Sequence, residues 1–118
     1  MSNAWRAYRD APDPGARLAA AADLPQGAAL TGMAGAFPWL LVRTEQGLRA
    51  YVNACPHQFL PLDRQGDRIL SADGAVLRCT NHSAGFSAAT GEGTEGLGLG
   101  CALDPIPVEE QDGAIVIA

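Results

Sequence analysis

Two short segments decide how this chain is read: Cys55-Pro56-His57 and Cys79-Thr80-Asn81-His82. They form Cys-x-His and Cys-x-x-His, separated by positions 58–78. Thiolate and imidazole are the main protein ligands for zinc and iron, so two matched loops offering one of each mark a metal site. Structural zinc usually pairs Cys with Cys at short spacing and His with His. Here each loop gives one Cys and one His, and the candidate ligands are Cys55, His57, Cys79 and His82. A site that uses both histidines takes every histidine of the 118 residues. None is left for a Ser-His-Asp triad, or for an iron held by two histidines and a carboxylate. No catalytic residue is assigned, and the chain is not read as an enzyme.

Each segment follows a run that reads as a strand. Trp39–Arg43 and Leu48–Asn53 are apolar, with β-branched and aromatic content, and Thr44-Glu45-Gln46-Gly47 joins them as a hairpin. Arg68–Leu70 and Val76–Cys79 flank Asp73-Gly74, and Ala102–Val108 and Ala114–Ile117 flank Asp112-Gly113, both hairpin-grade turns. Arg17–Ala20, Ala28–Met33 and Phe86-Ser87 read as further strands, and Gly91–Gly100 as a glycine-rich loop. Ala19–Ala22 has helix propensity but is a single turn long, too short to stand alone. Fourteen Gly and eight Pro cut the chain into such short pieces. The expectation is one all-β domain over residues 16–118, with the polar, proline-broken residues 1–15 as a flexible tail.

Composition narrows the function. Hydrophobic residues are 47% and charged residues 18%, which is globular rather than disordered. All eight basic residues are Arg and lie within residues 1–78, beside seven acids, whereas residues 79–118 hold six acids and no base. That acidic excess argues against nucleic acid, which needs a basic patch. It suits docking to a basic protein surface by steering, and it serves solubility equally well. Leu24–Val42 carries no charge and is long enough to be checked as a membrane span. Pro25, Gly27, Gly32, Gly35 and Pro38 break it, so no span is expected. The first residues lack the apolar stretch of an export signal, and a cytoplasmic location is expected. Cys101 lies outside both loops and reads as a buried, inert thiol.

Cys55-Pro56-His57 through Pro61-Leu62, with Cys79-x-x-His82, Phe86 and Thr90-Gly91-Glu92, resembles the cluster-binding loops of Rieske-type ferredoxins. Leu103-x-Pro105-Ile106-Pro107-Val108 and Asp112-Gly113-Ala114-Ile115-Val116 resemble the end of that domain, so the likeness runs from about Arg17 to the C-terminus. It implies a Rieske-like fold of stacked antiparallel sheets with a small inserted cluster-binding subdomain, here about residues 54–90. It also implies one [2Fe-2S] cluster, with Cys55 and Cys79 on the inner iron and His57 and His82 on the outer one. Ser83 stands where the family usually has Gly. High-potential members add two cysteines and hydroxyls aimed at the cluster. The matching positions here are Leu60 and Asn81, with Ala84 and Phe86 in place of Ser and Tyr. The resemblance therefore implies the low end of the Rieske range of roughly −150 to +300 mV. Phe59, Leu60 and Pro61 would form an apolar docking rim or pack over the cluster.

The implied function is a soluble, low-potential, one-electron carrier between a reductase and an oxygenase or similar terminal enzyme. Its partners would be redox proteins, with no small-molecule substrate of its own. One alternative is the small Rieske subunit of a larger redox enzyme, like that of nitrite reductase. Another, from the spacing alone, is a zinc-stabilised interaction module.

Overall fold

The structure, a computed structural model, describes residues 4–55, 61–63, 69–79, 84–96 and 99–118. Among them nine strands follow in order: β1 (Arg17–Ala20), β2 (Ala29–Ala34), β3 (Phe37–Thr44), β4 (Gly47–Val52), β5 (Val76–Arg78), β6 (Gly85–Ser87), β7 (Gly93–Glu95), β8 (Val108–Gln111) and β9 (Ala114–Ile117). They pair into three antiparallel sheets, β1-β9-β8, β2-β3-β4 and β5-β6-β7.

Strand β3 explains how the sheets stack. Neighbouring side chains on a strand point to opposite faces, so Phe37, Trp39 and Leu41 face one way and Leu40 and Val42 the other. Both sets are buried. The first joins Trp5, Ala50, Val52, Ile115 and Ile117 in one core. The second joins Tyr51, Leu77, Phe86, Cys55 and Cys79 in another. A strand covered on both faces reads as a continuous apolar run rather than as an alternation, which is what Trp39–Val42 shows. The β2-β3-β4 sheet is thus the middle layer, with β1-β9-β8 on one face and β5-β6-β7 on the other. Tyr51 Oη donates to the Ala88 carbonyl at 2.8 Å and stitches two of the layers together. Burial pushes its pKa up to about 12, against a smaller opposing effect of the Arg49 charge.

Turn chemistry sets the registers. Gln111 faces Ala114 across the two-residue Asp112-Gly113 loop, and both loop residues have positive φ, 52° and 80°. This is the type I′ geometry that matches the twist of paired strands. Gly91, at φ +82°, lies so close to Tyr51 that a Cβ there would meet the ring at 2.7 Å, so no larger residue fits.

Three features depart from the sequence-based expectation. Residues 102–108 form no continuous strand: Ala102 pairs with Glu92 and Pro105 with Tyr51 as single bridges, and regular pairing starts at Val108. Pro105 and Pro107 have no amide hydrogen to give. The segment still borders β4, where the Val52 N–H donates to the Asp104 carbonyl at 2.9 Å and the Ile106 N–H to Ala50 at 2.8 Å. Strand β7 arises inside the glycine-rich stretch read as a loop.

The third departure is the amino-terminal segment, expected as a tail. From residue 4 onward it is packed. Trp5 sits in a 3-10 turn, Ala4–Ala7, only 1% exposed. Trp5 and Tyr8 each meet the Phe37 ring edge-on at 6.3 Å. Tyr8 Oη donates to Asp104 at 2.8 Å, the Ala36 N–H to Asp10 at 2.7 Å, and the Gly15 N–H to the Ile117 carbonyl at 2.8 Å. Prolines and charges signalled an irregular path, but two aromatic rings supply enough apolar area to hold that path against the sheets. Leu24–Val42 is cut into β2, β3 and turns, and no helix among the described residues is long and apolar enough to cross a membrane.

Candidate metal centre

Both sequence-predicted cysteines leave the ends of strands and arrive in one place. Cys55 follows the end of β4 and is 0% exposed; Cys79 follows β5 directly and is 5% exposed. They share the second core with Leu62, Leu77, Ala84 and Phe86. His57 and His82 lie outside the described residues, as do Phe59, Leu60, Asn81 and Ser83.

The base of the first loop is closed by side chains. Asn53, 4% exposed, ends the strand run: its own N–H donates to the Pro38 carbonyl at 3.0 Å. Its Oδ1 accepts from the Leu62 N–H at 2.9 Å, and its Nδ2 donates to Asp63 Oδ1 at 3.0 Å. Thr31 Oγ1, on β2, donates to the other carboxylate oxygen at 2.7 Å. Residues 53 and 62–63 are so drawn together beside β2.

The second loop is closed by backbone. The Cys79 N–H donates to the Ala84 carbonyl at 3.0 Å, and the Arg78 N–H to Ile69 at 2.6 Å. On the exposed side Arg78 Nε donates to Glu95 Oε1 at 3.0 Å, and the Glu95 side chain lies across Gly85, where a Cβ would collide with it. The Arg78 hydrogen bond holds the Glu95 carboxyl below its ordinary pKa, and the same contact raises that of Arg78. Sequence reasoning found neither closure. Asn53 carried a signal, a polar residue ending an apolar strand two positions before the motif. Thr31, on a separate and earlier strand, carried none.

The donor set fits an iron–sulfur group. The two thiols are surrounded by apolar side chains, where an uncompensated charge would be costly. Two thiolates cancel the net charge of two ferric irons bridged by two sulfides, and sulfur is the ligand such clusters take. A family model, the Rieske [2Fe-2S] domain, matches residues 16–100.

The chain belongs to the Rieske [2Fe-2S] domain family. This Rieske domain is similar to the ferredoxin of carbazole 1,9a-dioxygenase from Nocardioides aromaticivorans IC177, at 21% identity and a TM-score of 0.72, over 90% of this chain and 98% of that one. It is similar to a chain in the complex of reduced oxygenase and oxidized ferredoxin in carbazole 1,9a-dioxygenase, at 24% identity and a TM-score of 0.69, over 86% and 99%. The apo form of the quaternary ammonium Rieske monooxygenase CntA is similar over 89% of this chain but 32% of its own, at 21% identity and a TM-score of 0.72. These likenesses carry the fold. No curated protein matches the sequence. Strands β8 and β9 lie beyond the family match, yet they complete the sheet that begins with β1.

One expectation around the Rieske site is revised. Cys101, read as a buried thiol, is exposed. Its carbonyl accepts from the Gly93 N–H at 2.8 Å, which places it on the outer edge of the small β5-β6-β7 sheet, where an apolar residue finds no core. Among the acids of residues 79–118, Glu95 pairs with Arg78, Glu110 with Arg43 at 2.5 Å, and Asp104 accepts from Tyr8.

Proposed function

We propose that this Rieske domain is a soluble, low-potential ferredoxin that passes single electrons between a reductase and an oxygenase or similar terminal enzyme. One observation carries the reading: Cys55 and Cys79, from loops well separated along the chain, are buried in the same apolar core. Cys55 and Cys79 would hold the inner iron of one [2Fe-2S] cluster, and His57 and His82 the outer. When bound, the cluster supplies reversible one-electron chemistry. The core around the two cysteines keeps water from the sulfur atoms. Ala84 and Phe86, 1% and 0% exposed, offer that core no hydroxyl, which favours a low potential because hydrogen bonds to sulfur stabilise the reduced state.

A cluster-binding subdomain over residues 54–90 is supported by Cys55, Leu62, Leu77, Cys79 and Phe86 sharing one core. A transient carrier, rather than a permanent subunit, is favoured by the surface. The large exposed apolar side chains among the described residues are Met33, on β2, and Leu99, in the turn after β7. Among the described residues these two are separate side chains, not the contiguous patch a permanent interface uses. The test is chemical analysis of the protein purified anaerobically. Two irons and two acid-labile sulfides per chain are expected, and their loss in Cys55→Ser and in Cys79→Ser. Zinc without iron or sulfide would make the chain an interaction module instead.

A further inference from the structure

We infer that a groove beside the start of β4 binds a small organic carboxylate, at a place apart from the two buried cysteines. The groove has a volume of about 330 Å³, at the low end of the roughly 300–1,000 Å³ of ligand clefts. Leu48, Pro105, Ile106 and Pro107 give it apolar walls, Arg49 and Thr90 give it polar groups, and no acid lines it. It lies away from the cysteines along both strands that border it. The Cys79 N–H pairs with Ala84 at one end of the β5-β6 hairpin, and the Ala88 N–H with Ala75 at the other. Those two ends are about 13 Å apart along β6. Cys55 follows the far end of β4 from Leu48.

The charge of Arg49 decides the class of ligand. In a chain of net charge −5, Arg49 is half-buried and makes no ion pair among the described residues. Carbonyl oxygens hold it instead: Nε donates to Ala89 at 3.0 Å, Nη1 to Leu48 at 3.0 Å and Nη2 to Gln46 at 3.3 Å. They fix the guanidinium without neutralising it, so little entropy is lost when an anion arrives. A guanidinium has five N–H groups, and these bonds leave one on each terminal nitrogen. Two such N–H groups are what a carboxylate bridges. Thr90 Oγ1 accepts from the Glu92 N–H at 3.2 Å and keeps its own hydrogen to give. The wall from 105 to 107 offers no amide donor. Pro105 and Pro107 have none, and Ile106 spends its own on the Ala50 carbonyl at 2.8 Å. An anionic head therefore meets Arg49 and Thr90, and an apolar body meets the wall. An inorganic anion would satisfy the charge and leave the wall uncovered. A neutral ligand of the same shape would desolvate Arg49 without compensating it.

The experiment titrates the oxidised protein, as purified, with sodium benzoate, with benzamide as its neutral analogue and with sodium sulfate. Nitrogen-15 magnetic resonance follows the Arg49 Nε–H and the Thr90 and Ile106 amides, and calorimetry gives the affinity. Benzoate should shift all three signals saturably and leave the visible spectrum unchanged. Benzamide should bind at least about tenfold more weakly, the effect of losing a charge-assisted hydrogen bond. Sulfate should give no saturable shift at the same ionic strength. Arg49→Gln should abolish benzoate binding. Because Arg49 also holds the Ala89 carbonyl, a second variant keeps that tie: Thr90→Trp places a ring at the groove from an exposed position. It should weaken benzoate by about tenfold or more without lowering the melting temperature. Equal binding of benzamide, or of sulfate, would overturn the inference and leave Arg49 an ordinary surface cation. So would benzoate affinity that neither variant changes. Benzoate that alters the visible spectrum while the three signals stay still would place binding at the metal, and would overturn it too.

Discussion

Three thiols of identical chemistry meet different fates, decided by what surrounds each. Cys55 and Cys79 face Leu62, Leu77 and Phe86, whereas Cys101 faces water. Brief treatment of the folded protein with iodoacetamide should therefore label Cys101 first, which peptide mass mapping would read. Cys101→Ser should leave the visible spectrum intact; loss of the chromophore would make Cys101 part of the site. Ala84 and Phe86 allow a second test at this scale. Ala84→Ser and Phe86→Tyr together put hydroxyls into the core of the two thiols and should raise the midpoint potential in a redox titration. An unchanged potential would mean that these positions do not reach the sulfur atoms. Titration of single side chains fixes the pH response. The Ser71 hydroxyl, then the Ala75 N–H, hold Asp73 below its ordinary value, as Arg78 holds Glu95. Groups with lowered folded pKa values add stability above the ordinary carboxylate range and lose it as pH falls through the folded values. Burial, then the Asp104 hydrogen bond, push Tyr8 up to about 12, and burial does the same to Tyr51. Those two contributions are complete below about pH 10 and are lost as pH rises towards 12. Urea unfolding across pH should show both flanks. The acid one should be small, because Asp73 and Glu95 are exposed and screened, and smaller still in Glu95→Gln.

Among the elements, the amino-terminal turn has the most to lose from one substitution. Trp5 fills the core against Phe37, and Trp5→Ala should cost about 3–5 kcal/mol in urea unfolding. That is a large share of the roughly 5–15 kcal/mol that holds a domain together. A cost near zero would return residues 4–15 to the tail that their prolines suggested. The strands were legible where local rules sufficed. Asp112-Gly113 marked a hairpin turn and the apolar run Trp39–Arg43 a strand, and both are found. Arg17–Ala20 is found as read, and the run read as Val76–Cys79 is a strand over Val76–Arg78. Partnership between distant segments was not legible. Trp5 and Tyr8 are apolar area in a polar setting until Phe37 is brought to them, and Gly93–Glu95 is a strand because Cys101 and β6 pair with it. The two cysteines were legible as a pair from spacing and chemistry. The Asn53–Asp63–Thr31 tie was hidden because its members are ordinary surface residue types, joined only by the fold.

On the scale of the whole molecule, the middle sheet divides labour between two cores. The core with Trp5, Ile115 and Ile117 is apolar throughout and serves stability. The core with Leu40, Val42 and Tyr51 takes in both cysteines, and the small β5-β6-β7 sheet covers it. Cys55 and Cys79, well separated along the chain, are brought into one core by this layering. The fold is shared with ferredoxins of oxygenase systems and with one part of a longer monooxygenase chain, so the ligand set decides what this chain does with it. The most direct measurement is electron paramagnetic resonance of the anaerobic, dithionite-reduced protein. Two cysteines and two histidines predict a Rieske-type signal, shifted from that of an all-cysteine cluster, with a potential near the low end of roughly −150 mV. An all-cysteine signal, or a silent sample that holds zinc and no iron, would contradict it.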